Sequence, residues 1–105
     1  WFSTDEVERF FDTTFTVTGE SNRVGVRLET DKPLQRERSG ELPSEGMVAG
    51  SVQIPPSGQP VVFLRDHAVT GGYPVIATVI SEDVDIAAQL SPGSTIRFER
   101  YSERD

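Results

Sequence analysis

The sequence has no cysteine and only one histidine, one methionine and one tryptophan. Without cysteine there is no disulfide, no thiolate nucleophile and no zinc–thiolate site. With His67 as the sole imidazole, a transition-metal site built from His or Cys is not expected. Positive charge is scarce: 10 Lys and Arg stand against 17 Asp and Glu, for a net charge of −7. Phosphate backbones are bound by clustered Lys and Arg, and only Arg36 and Arg38 come close to clustering. Nucleic acid is therefore a poor partner, and the charge reads as a solvated acidic surface. No apolar run approaches the roughly 20 residues of a membrane-spanning helix, and no signal peptide is visible. The expectation is a cytoplasmic protein that engages neither nucleic acid nor membrane.

What is present suggests one folded domain over residues 1–105. Hydrophobic residues make up 35% and charged residues 26%, which is ordinary for a globular chain and unlike a disordered tail. The sequence starts at Trp1 rather than Met, as expected of a piece of something longer.

Hydrophobic periodicity predicts mostly short strands. "STDEVERFF" opens with a helix: Ser3 and Glu6 have capping-box spacing, and Val7, Phe10 and Phe11 share a face over about residues 4–11. "TFTVTG" and "RVGVRLE" alternate like two half-buried strands joined by the "GESN" turn. Residues 30–45, rich in charge and proline, read as a long solvated loop. "MVAGSVQIPP", "VVFLRD" and "PVIATVI" read as strands, the second buried on both faces as far as Leu64. "SEDVDIAAQL" reads as a short helix capped by Ser81. "TIRFERYS" reads as a last strand, with Ile96, Phe98 and Tyr101 partly inward. Six or seven strands and two short helices, with turns every eight to twelve residues, predict a mainly β fold: a closed or nearly closed β-barrel with small helices over its ends.

Few residues carry a chemical signal. His67 follows Asp66 at the end of a buried strand, where an acid/base group or a plain surface turn are both possible. In "TGGYP", Gly71 and Gly72 offer close backbone approach or an anion-binding nest, or only a tight turn. Glu45 precedes Gly46 at the end of the charged loop, and Gln53 sits between Val52 and Ile54, facing either a ligand or water. Asn22 and Arg23 mark a turn-to-strand junction, where Arg23 suits a substrate anion or a structural carboxylate. No Ser/His/Asp arrangement and no phosphate-loop pattern can be defended.

Three stretches, "SNRVGVRLE", "ELPSEGMVAGSVQIPPSGQPVVFLRDHAVTGGYPVIATVIS" and "AAQLSPGSTIRF", occur in an order and spacing that resemble the carboxyltransferase-like family. That family contains allophanate hydrolase subunit 2, also described as the C subunit of 5-oxoprolinase and as the antagonist of a sporulation-kinase inhibitor. It is similar to the carboxyltransferase part of urea carboxylase. The resemblance runs from the N-terminal helix to Phe98. It implies a cyclophilin-like β-barrel and a chain that is the C-terminal part of a longer polypeptide, inactive alone.

The resemblance further implies an ATP-dependent amide-hydrolysing complex, favouring ring opening of 5-oxoproline to glutamate. ATP would serve the parent complex rather than bind this domain. The implied partners are the cyclophilin-like B subunit and the separate A subunit of that complex. The alternative is a regulatory module that docks to a kinase inhibitor. Proline isomerisation, suggested by fold alone, has no motif behind it.

The family motifs fall on Asn22, Arg23, Glu45, Gly46, Gln53, Pro55, Asp66, Thr70, Gly71, Gly72, Tyr73 and Pro74. The resemblance implies one cleft, with Glu45 and Asp66 as the catalytic carboxylates. Arg23 would pair with a substrate carboxylate, and Glu45 and Gln53 would orient an amide. Asp66 and Thr70 would organise the glycine turn, with the Gly71–Gly72 backbone facing the ligand. Many members carry Arg-Gln-Thr where this chain has His67, Ala68 and Val69. That departure argues against His67 as a catalytic base.

Overall fold

The computed structural model describes residues 2–37, 45–66 and 70–100, with the backbone alone for Glu45, Gly46, Thr70 and Gly71. His67 and Tyr101, singled out above, lie outside the described residues. In chain order the elements are α1 (Thr4–Asp12), β1 (Thr14–Val17), β2 (Gly25–Glu29), β3 (Glu45–Gly46), β4 (Ser51–Gln53), β5 (Val61–Phe63), β6 (Thr70–Gly71), β7 (Val75–Thr78), α2 (Ser81–Ala87) and β8 (Thr95–Arg97).

Six strands form one antiparallel sheet in the order β7-β4-β5-β2-β1-β8, and β3 pairs separately with β6. The sheet is curled into a half-barrel, consistent with the cyclophilin-like expectation. Among the described residues its two ends, β7 and β8, do not pair with each other. Period-2 alternation sets the inner face: Phe15 and Val17 on β1 and Val26 and Leu28 on β2 are buried. Val52, Ile54 and Val62 complete the floor. Val24, which the alternation of "RVGVRLE" puts on the same face as Val26 and Leu28, precedes β2 and is exposed.

α1 lays Phe10 into this core, where its ring stacks on Phe98 at 4.5 Å between centroids and meets Phe15 at 5.8 Å. Ser3 caps the helix, its Oγ accepting from the Glu6 N–H at 3.1 Å. The Glu6 carboxylate bonds elsewhere. It takes a two-point bond from Arg9 (2.8 Å from both Nε and Nη2) and accepts from the Gln35 N–H at 2.7 Å.

The long loop after β2 is not simply solvated. Leu34 is buried in the core, and its N–H donates to the Gly58 carbonyl at 2.9 Å. Arg9 donates to the carbonyls of Lys32 and Pro33, and Gln59 bonds both backbone groups of Thr30. The apolar Leu34 inside a charged stretch is the residue that overrides the composition: burying it brings the backbone of residues 30–35 against the barrel. Gly58 fits beneath it only because it lacks a Cβ, which would collide with the Leu34 carbonyl.

Several element boundaries differ from the expected ones, and two have a clear local cause. The "MVAGSVQIPP" strand starts only at Ser51, because Gly50 turns the chain at φ +94° while its N–H bonds the Phe63 carbonyl at 2.7 Å. Ser81 is the first helical residue of α2, not its cap. The N-cap is Ile80, whose own carbonyl receives the Asp83 and Val84 N–H groups, and no side-chain cap is made. Glu82 and Asp83 in the first turn supply the favourable charge instead.

Candidate functional site

Glu45 and the glycine turn meet. β3 and β6 pair antiparallel with Glu45 opposite Gly71 and Gly46 opposite Thr70. Residues facing each other in such a ladder have Cα atoms about 4.5–5.5 Å apart. Gly71 is thus extended strand beside a carboxylate-bearing residue rather than part of the turn itself.

The chain after Gly71 is re-anchored. Gly72 and Tyr73 are half-buried and Pro74 is fully buried. The Pro74 carbonyl accepts from the Ile54 N–H at 2.9 Å, and β7 starts immediately after. The register against β4 slips there: Val52 faces Ala77, but Gln53 faces Val75, leaving Ile76 as an extra residue. This β-bulge adds local twist where the strand leaves the glycine turn. Gln53 does not face water, as one reading allowed; it is buried at 7% exposure beside this bulge.

A second group gathers at the end of β2 and β5. Gly25 faces Phe63, and the Leu64 N–H donates to the Val24 carbonyl at 2.9 Å. Beyond this last bond both chains turn, so the Asn22–Arg23 turn and Arg65–Asp66 lie past the same end of the β2–β5 pair. Arg23 and Asp66 are both exposed. The Asn22 Oδ1 accepts from the Val24 and Gly25 N–H groups at 2.8 and 3.1 Å. That is an Asx turn, so this oxygen is already used by the backbone. Arg65 reaches sideways to Asp85 on α2, at 2.7 Å through Nε and 3.1 Å through Nη2. This bond holds the exposed Asp85 carboxyl below the usual carboxylate range.

Among the described residues, no cluster of three or more His, Asp or Glu could hold a metal ion. No helix among them is long and apolar enough to cross a membrane.

Sequence patterning does not disclose a cavity of about 540 Å³ that opens between β7 and β8, roofed by both helices. Phe10, Val62, Ala77, Ile96 and Phe98 line it, none of them among the candidate site residues. Its signal in the sequence is the pair of aromatics at Phe10 and Phe98, which periodicity assigns to core without showing that the core is open beside them.

The family pattern for the carboxyltransferase domain, subdomain A and B, matches residues 1–100. The chain belongs to that family. It is 43% identical over 88 residues to the C subunit of 5-oxoprolinase from Haemophilus influenzae, covering 84% of this chain and 28% of the relative. It is 39% identical over 95 residues to the C subunit of 5-oxoprolinase from Escherichia coli, covering 90% of this chain and 30% of the relative. The carboxyltransferase-family chain therefore spans under a third of the length of these curated relatives. Among solved structures, urea amidolyase of Kluyveromyces lactis superposes with a TM-score of 0.85 at 29% identity, over 96% of this chain and 6% of that one. Urea carboxylase of the same yeast gives 0.80 at 27% identity, over 96% of this chain and 10% of that one.

Proposed function

We propose that this domain is the C-terminal part of the C subunit in a 5-oxoprolinase-type complex, which couples ATP hydrolysis to hydrolysis of a cyclic amide. The observation that carries the reading is the likeness of nearly the whole chain to two proteins named as that subunit, at 43% and 39% identity. The pairing of Glu45 with Gly71 supports it, because it joins two separate family motifs in one ladder.

The reaction adds water across the amide C–N bond of 5-oxoproline. The hydroxyl goes to the carbonyl carbon and the hydrogen to the ring nitrogen, giving glutamate. A second water takes the terminal phosphoryl group of ATP, leaving ADP and phosphate. In this reading Glu45 and Gln53 orient the amide, and the Gly71–Gly72 backbone lies against the substrate. Arg23, exposed at its turn, pairs with the substrate carboxylate, and Asp66 with Thr70 organises the approach to the turn. ATP belongs to the assembled complex, with the cyclophilin-like B subunit and the A subunit as partners, in the cytoplasm.

The test is ADP release by the full-length parent co-expressed with its neighbouring subunits, with and without 5-oxoproline. Urea and allophanate are run in parallel. Release that depends on 5-oxoproline and collapses in Glu45→Ala supports the proposal. An assembled complex that no substrate stimulates overturns it and leaves a docking role, such as antagonism of a kinase inhibitor.

A further inference from the structure

The open seam between β7 and β8 is a different place from the Glu45–Gly71 ladder, and its walls are chemically specific. β7 pairs only with β4 and β8 only with β1 among the described residues. Backbone groups along a strand point alternately to its two sides. The Val79 N–H donates to the Gly50 carbonyl at 2.8 Å, so residue 79 faces the β4 side. The N–H and C=O of Thr78, one residue earlier, point the other way, into the seam. Thr78 lines the cavity, and β7, Val-Ile-Ala-Thr, carries no charge and no proline to discourage another strand.

β8 is guarded differently. Its Arg97 side chain is drawn back onto the Phe11 carbonyl at 3.1 Å and Asp12 at 3.4 Å. Arg100 is likewise held by Glu8 at 2.7 Å and stacks on the Phe11 ring. The basic groups at the rim are thus already neutralised. The rim carboxylates Asp83 and Glu99 are exposed and have no ion-pair partner among the described residues. Below the rim the floor is apolar.

From these three features we infer that the β7 edge is a strand-addition site for an extended polypeptide segment with alternating apolar residues and basic flanks. The Thr78 N–H and C=O, unbonded among the described residues, suit the backbone of an added strand. The apolar floor demands apolar side chains at every second position, and Asp83 and Glu99 select positive charge beside them. The net charge of −7 argues against a second copy of this chain as the occupant.

The probe is a fluorescently labelled heptapeptide of alternating valine and threonine with a lysine at each end, titrated by anisotropy against this chain and against the full-length parent. Binding to this chain that the parent lacks means that the rest of the polypeptide covers the edge, and overturns the inference. Binding is expected, weakening as salt is raised. Thr78→Pro removes the free N–H without touching a β4 bond, and it should weaken binding roughly tenfold or more. Thr78→Val keeps the N–H and should bind like the wild type, which controls for the altered side chain. Circular dichroism and the urea midpoint report whether Thr78→Pro still folds. If it does not, Asp83→Lys/Glu99→Lys serves as the second variant and should favour a glutamate-flanked probe. The inference is overturned if the wild type ignores the probe or if the glutamate-flanked peptide binds it equally well. Unchanged affinity in a folded Thr78→Pro chain, or self-association through this edge in place of peptide binding, also overturns it. The site is independent of the amide-hydrolysis reading, because neither Glu45 nor the glycine turn takes part.

Discussion

Glu45 stands opposite Gly71 in a two-residue antiparallel ladder, although two strands of the main sheet separate them in sequence. A carboxylate-bearing residue and a residue with no side chain are thereby held side by side. A ligand approaching the Gly71 backbone would meet no Cβ. Gly71→Val fills that space with a residue that favours strands, so the fold should persist. In the complex proposed above, substrate-stimulated ADP release should fall at least roughly tenfold, the loss expected when positioning at a site is disturbed. Unchanged release would remove the glycine from the site.

Asn22 separates a structural from a binding role. Its Oδ1 holds the Val24 and Gly25 N–H groups. Asn22→Ala should cost about 1 kcal/mol of stability, as for loss of a comparable side-chain cap. Asn22→Asp keeps the acceptor and should keep the stability. If Asn22→Asp also leaves substrate-stimulated turnover intact, the side-chain amide has no contact with substrate. Urea denaturation and the turnover assay read the two effects separately.

Glu6 should make the domain sensitive to acid. The Arg9 guanidinium holds its carboxyl below the usual carboxylate range, with burial opposing and the Gln35 N–H helping. A lowered folded-state pKa means stability that is fully present above the unfolded value of 4.5 and lost as pH falls through the folded value. The side chain is only 18% exposed, so the pair should contribute roughly 1 kcal/mol at neutral pH. Glu6→Gln should lower the urea midpoint at pH 7 and make no difference once pH lies below the folded value. Hydrogen exchange at Gln35 should quicken in the variant at neutral pH.

Gly50 is the turn that starts β4. Its φ is +94°, and a Cβ there would collide with the Val79 carbonyl while pressing on Val84. Gly50→Ala should destabilise by about 2–4 kcal/mol, since both the backbone conformation and the space oppose it. Gly19, with nothing near its Cβ position, is the control: Gly19→Ala should change the denaturation midpoint little.

Much of this architecture was legible in local pattern. The Ser3 cap, the alternation through Phe15 and Val17, and the inward Val26 and Leu28 follow from periods of 3.6 and 2 residues that need no distant information. The motif resemblance placed the chain in its family, because several long motifs in one order are specific. Local reading failed where a distant partner decided the outcome. Leu34 looked like a loop residue because its neighbours are charged, yet its buried position depends on Gly58 and on Arg9, which are far away in the chain. Gln53 looked able to face solvent, and only the packing around the β4–β7 bulge leaves it mostly buried.

By itself, then, the sequence determined composition, charge, the run of short amphipathic elements and the family, since each of these is carried by residue identity and spacing along one chain. Tertiary structure alone decided that Glu45 faces Gly71, that the Asn22–Arg23 turn and Arg65–Asp66 lie beyond the same end of the β2–β5 pair, and that β7 and β8 do not pair among the described residues. Those are relations of register and closure. They are set by which backbone hydrogen bonds form between distant strands, and the sequence around a single strand does not specify its partner.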